Sequence, residues 1–445
     1  MFLSFLSFKN QKPDLSKLGS KTYTRKMNLP LFHNRIQQFS LNKNMKKKII
    51  SFIVFPLFVC AAAYAQGITW TPANPMNKAR SYFVAVELLN GNVLVAGGFD
   101  GSMTNFDFPD AEIYNWHTGQ WTRIAPMNTA RSAPAAVRLE DGRVMVIGGA
   151  DETFTFLASA EIYDPRTDTW SFTASMSGPR FEDFTAVLLP GRKVQEDECG
   201  SVAESLRLRT AQADEGRKVL VAGGFGPNFV PLNSAEIYDQ KTNTWTPTGS
   251  MNVARGEFFT VVLNDGRVLA VGGVATDGTP IASAEIYDPR TGIWTLTGSM
   301  STGRNDAAVV VLKDGRVLAA GGGMGAETNP RWASAEIFDP RTGQWTPTGP
   351  MTAPRSEAEY ASVLLPDGRV LVPGGYTAPH TPVSSSDLYD PRTGTWTASG
   401  SMSVVRAGHS SIVLRGNRGV LVMGGEGGEV YNGSTASVDI AVPTH

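Results

Sequence analysis

The sequence predicts an all-β fold, a seven-bladed β-propeller with four antiparallel strands per blade, and three observations carry that expectation. A Gly pair closes an apolar run seven times, at Gly97-Gly98, Gly148-Gly149, Gly223-Gly224, Gly272-Gly273, Gly321-Gly322, Gly374-Gly375 and Gly424-Gly425. A Trp recurs seven times (Trp70, Trp121, Trp170, Trp245, Trp294, Trp345, Trp396), each followed six residues later by Met. Four residues after each Met stands Arg80, Arg131, Arg180, Arg255, Arg304, Arg355 or Arg406. The period is about 50 residues, with one longer interval between Trp170 and Trp245, and a period of that size means a repeat architecture. With 445 residues, 42% hydrophobic and 18% charged, the chain can bury a large core and is too apolar for a disordered one.

Inside one unit the strands follow from local chemistry. Phe258 to Leu263 and Arg267 to Gly273 are β-rich runs joined by Asn264-Asp265-Gly266, where Gly accepts the positive φ of a tight hairpin turn. Ser283 to Asp288 and Ile293 to Leu296 form a second pair around Pro289-Arg290-Thr291-Gly292. Four short antiparallel strands repeated seven times close into a radial propeller.

The Gly-Gly doublet, the Ala-Glu-Ile-Tyr-Asp-Pro segment (Ala284 to Pro289 in this unit) and the Trp-Thr step stand in an order that resembles kelch repeats over residues 67–442. The resemblance implies a kelch-type propeller and partners bound on the face of the Arg-side loops. The ring closure is also legible. Gly67 to Pro72 reads as a last strand with no blade before it, while Ser437-Val438-Asp439-Ile440 aligns with the third-strand Ser-Ala-Glu-Ile. The N-terminal strand is therefore expected to complete the seventh blade and leave no open edge. Residues 191–215 interrupt the third unit between Leu188-Leu189-Pro190 and Gly216-Arg217-Lys218-Val219, flanked by a repeat of Gly-Arg-Lys-Val. They read as a tolerated insertion at a hairpin tip.

The amino terminus reads as an address. Met45-Lys46-Lys47-Lys48, an apolar run from Ile49 and the ending Ala63-Tyr64-Ala65 describe a secretory signal peptide over 45–65. The run is shorter than the roughly 20 residues a membrane span needs. Residues 1–44 are a basic leader, or the true start is Met45. Secretion or a periplasmic location is the expectation, with no membrane span after cleavage. Cys60 leaves with the signal and Cys199 remains alone, so the body has no internal disulfide. Residues 1–65 hold 11 bases and one acid, which leaves residues 66–445 with 29 bases and 40 acids. That acidic body argues against nucleic acid as a partner.

Antiparallel order puts the Arg positions and the loops after Gly-Gly on one face. The repeated Trp, Met and Tyr read as packing between blades. The seven Arg either form an anion-attracting ring or bond carbonyls and carboxylates within their own blades. Function is expected where the blades differ. Two residues after Arg stand Tyr82, Ala133, Glu182, Glu257, Asp306, Glu357 and Gly408, with Asp183 beside Glu182. Phe181, Phe258 and His409 lie next to them, and Phe225, Phe229, Trp332 and Tyr376 follow in nearby loops. Acids with aromatic faces suit a sugar or a polar peptide. The alternative is that each acid only neutralises an Arg on a solvated rim.

Ligand-binding candidates are thus Tyr82, Phe181, Glu182, Asp183, Glu257, Phe258, Asp306, Glu357 and His409. The fold is also that of galactose oxidase-like copper enzymes, but their ligand set of two His, two Tyr and a Cys–Tyr crosslink is not spelled by His117, His380, His409, His445 and Cys199. Neither a Cys/His metal spacing, a phosphate loop nor a Ser-His-Asp context appears. No catalytic residue, metal or cofactor is assigned. The expected function is an exported recognition scaffold for glycans or proteins. The alternatives are a sugar-active enzyme similar to the kelch-type sialic acid mutarotases and a purely structural surface protein.

Overall fold

The computed structural model describes residues 67–101, 108–190, 218–323, 330–357, 359–379, 381–427 and 433–444. The leader, the signal segment, the insertion with Cys199, and His380 and His445 lie outside the described residues. Within them, seven antiparallel sheets form the seven blades, each with four principal strands. Blade 4 is representative, with strands Phe259–Val262, Val268–Val271, Ala284–Asp288 and Ile293–Leu296. Its second strand is buried on every side, whereas Ile293 and Leu296 of its fourth are 57% and 52% exposed. A continuous apolar run becomes the strand covered on both faces, and an alternating one becomes the rim.

The core is divided among the blade boundaries. Seven apolar clusters occur, one at each junction between neighbouring blades. Between blades 3 and 4, Met251, Phe258, Tyr287 and Trp294 pack on Leu220 and Ala222. In five blades the Trp Nε1 donates to a carbonyl of the preceding blade, as Trp245 does to Ala174 at 2.8 Å.

The Gly-Gly doublet and the Arg are two halves of one staple. In all seven blades the second Gly donates its N–H to the carbonyl of the next blade's Arg, at 2.7–2.9 Å; the last such bond, Gly425 to Arg80, joins blade 7 to blade 1. The first Gly must be Gly. A Cβ on Gly272 would stand 2.3 Å from the Arg304 carbonyl, and its φ of +65° disfavours other residues. The Arg side chain turns back into its own blade. Arg255 Nη1 donates to the Gly272 and Ser283 carbonyls at 2.7 and 2.9 Å, and Nη2 reaches Ser283 Oγ and Glu285 Oε1 at 2.8 and 3.1 Å. Equivalent pairs tie Arg80 to Glu112, Arg131 to Glu161, Arg180 to Glu236, Arg304 to Glu336, Arg355 to Asp387 and Arg406 to Asp439. All seven Arg are at most 2% exposed, so local bonding within each blade is the use the fold makes of them.

Closure follows the sequence expectation. Ile68–Ala73 pairs antiparallel with Val438–Pro443 in unbroken register, and Trp70 Nε1 donates to Ser399 of blade 6 at 3.0 Å. Deleting residues 67–73 should leave the Val438–Pro443 edge open and abolish a single cooperative melting transition, with self-association through the free edge. Calorimetry and size-exclusion chromatography check this; an unchanged cooperative melt refutes it.

Candidate channel-mouth site

Each blade enters its first strand by the same irregular step. Isolated bridges pair Ser81 with Phe99, Ser132 with Ala150, Phe181 with Phe225, Gly256 with Val274, Ser356 with Tyr376 and Ala407 with Glu426. The residue after Arg therefore lies beside the residue after Gly-Gly, and both belong to one face. The following residue is left-handed in every blade: φ is 51° at Tyr82, 44° at Ala133, 51° at Glu182, 49° at Glu257, 50° at Asp306, 53° at Glu357 and 55° at Gly408. Six of the seven carry a side chain in a conformation that favours Gly, at a cost of about 1 kcal/mol or more each. Blade 3 holds an extra residue here. Asp183, φ 47°, is inserted before Phe184, which packs on Gly148 as Phe258 packs on Gly223.

These steps bring side chains from six blades together at one mouth of the central channel. Tyr82 of blade 1 donates to Glu357 Oε2 of blade 6 at 3.0 Å. Asn305 Nδ2 of blade 5 donates to Glu257 Oε2 of blade 4 at 2.7 Å and to Asp306 Oδ2 at 2.8 Å. Tyr360, on the short turn Glu359–Ala361 of blade 6, donates to Asp183 of blade 3. Tyr376 donates to Glu426 Oε2 at 2.5 Å. Tyr82 can lean across to Glu357 because blade 7 offers Gly408 beneath it; a Cβ there would lie 3.1 Å from the tyrosine ring.

The crowding of acids is written in their protonation. Burial, and then the charges of Asp183, Glu257 and Glu357, push Glu182 well above the usual carboxylate range. Burial pushes Asp183 up to about 7, although Tyr360 donates to it and Glu257 adds to the rise. Burial, with the charge of Glu426, pushes Glu357 up to about 8, against the lowering donation from Tyr82. Burial raises Tyr82 and Tyr376 as well, so both remain phenols that donate. Below the mouth the first strands enclose a cavity of about 310 Å³, lined by Ala85, Ala136 and Val187 and by Tyr82, Asp183 and Tyr360.

Beside the acids lies an aromatic cluster. Phe156 stacks on Phe181 with centroids 4.5 Å apart, and Phe154, Phe225 and Phe229 join it at 5.1–6.1 Å. Phe181 and Phe225 are buried; Phe154, Phe156 and Phe229 are partly exposed.

Of the sequence candidates, Tyr82, Glu182, Asp183, Glu257, Asp306 and Glu357 are assembled at the mouth, and Phe181 anchors the adjoining aromatics. Phe258 packs its ring between blades, over Gly223. His409 is 1% exposed and is also placed between blades. Sequence reasoning missed Phe154, Phe156, Asn305, Tyr360 and Glu426 as partners. Phe154, Phe156 and Glu426 follow a Gly-Gly pair and share a face with the acids, so the spacing contained that signal. Tyr360 had none, because it sits on a turn that other blades lack.

A kelch motif matches residues 80–128, 133–177, 216–252, 255–301, 304–352 and 359–403, more than half of the chain, and the chain belongs to the kelch-repeat family. It is similar to Kelch-like protein 36 of Bos taurus, 27% identical over 195 residues, covering 43% of this chain and 27% of that one. An F-box/kelch-repeat protein of Arabidopsis thaliana is 30% identical over 185 residues, covering 36% of this chain and 46% of that one. The chain thus spans less than half the length of these relatives. Among solved structures, a fungal alcohol oxidase of the AA5 family in complex with copper matches with a TM-score of 0.64 and 21% identity, over 85% of this chain and 76% of that one. That likeness is one of fold. Among the described residues, no three His, Cys, Asp or Glu side chains come together to hold a metal ion. The described histidines are far from such a set: His117 lies tilted against Trp116 in a strand-connecting turn and His409 is buried between blades. The described residues do not fit that copper.

Proposed function

We propose that this protein is an exported recognition scaffold that binds a glycan or a protein at the acid- and aromatic-bearing mouth of its channel. The observation that carries the reading is a division of labour. Every residue repeated in all blades is spent inside the scaffold, while residues that differ between blades converge on one mouth. Carboxylates and phenols offer hydrogen bonds to hydroxyl or amide groups, and the half-exposed phenylalanines offer flat apolar faces. The signal-like segment Met45 to Ala65 supports export.

A glycan array probed with the purified protein and its Glu257→Ala/Asp306→Ala double variant tests this. Binding that the double variant loses, by tenfold or more, supports a carbohydrate site at the mouth. Absence of binding by both proteins overturns the glycan form and leaves the protein-partner form, which affinity capture from the secreting cell's surface fraction then addresses.

A second reading is favoured by one observation: Asp183 and Glu357 hold protons near neutral pH, as groups that exchange protons with a sugar must. Ring opening of sialic acid followed by proton NMR is expected to be slowed by Asp183→Asn if that reading holds; no acceleration by the wild type removes it.

A further inference from the structure

Blades 6 and 7 meet differently from their neighbours. In blades 1, 3 and 4 an aromatic ring covers the first Gly of the preceding blade: Phe83 over Gly424, Phe184 over Gly148 and Phe258 over Gly223. Blade 7 places His409 there. Its Cε1 would be 2.7 Å from a Cβ on Gly374, and its own Cβ would be 2.7 Å from one on Gly425. The side chain is 1% exposed, and neither Nδ1 nor Nε2 has a hydrogen-bond partner among the described residues. An imidazole thus stands in a slot shaped for a phenyl ring. The packing is that of a neutral aromatic, and the slot offers nothing for an imidazolium to donate to.

The surroundings make the charged form worse. Arg406 lies on the same segment, its guanidinium fixed on Asp439, Gly424 and Ser437. Its charge repels a second cation, and burial with that charge holds His409 well below the ordinary imidazole range. The nearby carboxylates are turned elsewhere, Glu357 of blade 6 to Tyr82 and Glu426 of blade 7 itself to Tyr376. Met402 packs against the same Gly374 and brings no polar atom for the ring.

We propose that His409 is an acid-sensitive latch, whose protonation parts the seam between blades 6 and 7 and releases the tie from Tyr82 to Glu357 across the mouth. The connection is direct in the chain. An imidazolium gains water only if the seam opens. Gly408, the residue before His409, is the floor on which Tyr82 rests to reach Glu357. Displacing that floor breaks a contact that joins blade 1 to blade 6 over blade 7. The inference is independent of which ligand the mouth takes.

The sign follows from linkage. The closed state binds no proton at His409 until well below pH 6.5, whereas the opened or unfolded chain binds one at about 6.5. Stability from this residue is therefore complete above pH 6.5 and falls up to tenfold in the equilibrium constant per pH unit below it.

The test compares the wild type with His409→Phe, the residue that three other blades carry. Thermal melting is followed from pH 8 to 5, with hydrogen exchange of peptides spanning 404–412 and 370–376, corrected for the intrinsic pH dependence. Wild-type stability should fall relative to the variant only below pH 6.5, and both peptides should exchange faster at pH 5.5 in the wild type alone. Parallel melting curves, or exchange that does not differ between the proteins, overturn the latch. Should His409→Phe fail to fold, imidazole proton NMR of the wild type decides: one ring that stays neutral until the protein opens supports the latch, and all rings titrating near pH 6.5 overturn it.

Discussion

Arg255→Ala is expected to destabilise the propeller by about 3–5 kcal/mol, the cost of removing one partner from a buried, hydrogen-bonded ion pair. The guanidinium supplies donors to two carbonyls, one hydroxyl and one carboxylate, and both Arg255 and Glu285 are fully buried. Truncation leaves the Glu285 carboxylate charged in the interior, orphans the Gly272 carbonyl and leaves the Ser283 carbonyl with the Gly272 N–H alone. Replacing both partners by apolar residues is often harmless for buried pairs, and here it should not be. Glu285 also accepts from the Asn252 and Val253 amides at 2.6 and 3.0 Å, so Arg255→Met/Glu285→Leu still strands backbone groups. The double variant should remain at least about 2 kcal/mol less stable than the wild type. Chemical denaturation of the three proteins checks this, and a double variant as stable as the wild type refutes the account.

The same pair shows what a sequence can and cannot disclose. The recurrence of Arg and Gly-Gly announced seven blades, and the offset strand at Gly67 announced the closure. The meaning of the Arg ring stayed open because its partner was hidden in plain periodicity. Glu112, Glu161, Glu236, Glu285, Glu336, Asp387 and Asp439 recur as strictly as the Arg, but inside a strand motif that reads as β pattern. An acid at a buried position of a half-buried strand demands a cation, and that demand was the available signal.

The mouth was legible by position and illegible by geometry. Placing function where blades differ selected Glu182, Glu257, Asp306 and Glu357, which the fold brings to one mouth. Nothing in a Glu announces a left-handed backbone, since a non-Gly residue outside Asn, Asp and His rarely adopts one. Blade 3 carries one residue more than its counterparts before the packing aromatic. That slips Asp183 into the rim and puts Phe184, instead of its predecessor, in the slot. A single-residue insertion of this kind changes which side chain meets which blade without disturbing the repeat that surrounds it.

Glu357→Gln should remove much of the protein's loss of stability at alkaline pH. A carboxyl whose folded pKa is raised to about 8 holds its proton in the folded state after the unfolded chain, near 4.3, has released it. Its contribution is present in full below about pH 4.3 and is lost as pH rises through 8. The wild type and the variant should therefore keep a constant difference in acid and diverge from about pH 5 upward. By pH 9 the variant should have gained up to about 5 kcal/mol relative to the wild type. Glutamine keeps an acceptor for Tyr82, so the tie across blade 7 survives and the comparison isolates charge. Tyr82→Phe acts in the opposite sense. Without the phenol's donation, which lowers the Glu357 pKa, the carboxyl keeps its proton to still higher pH and the alkaline limb becomes deeper. Melting curves between pH 5 and 9 decide both. Identical pH profiles for the wild type and Glu357→Gln would mean that the mouth carboxylates ionise without strain. The crowding of Glu182, Asp183, Glu357 and Glu426 would then have no energetic weight, and the mouth would be an ordinary solvated rim.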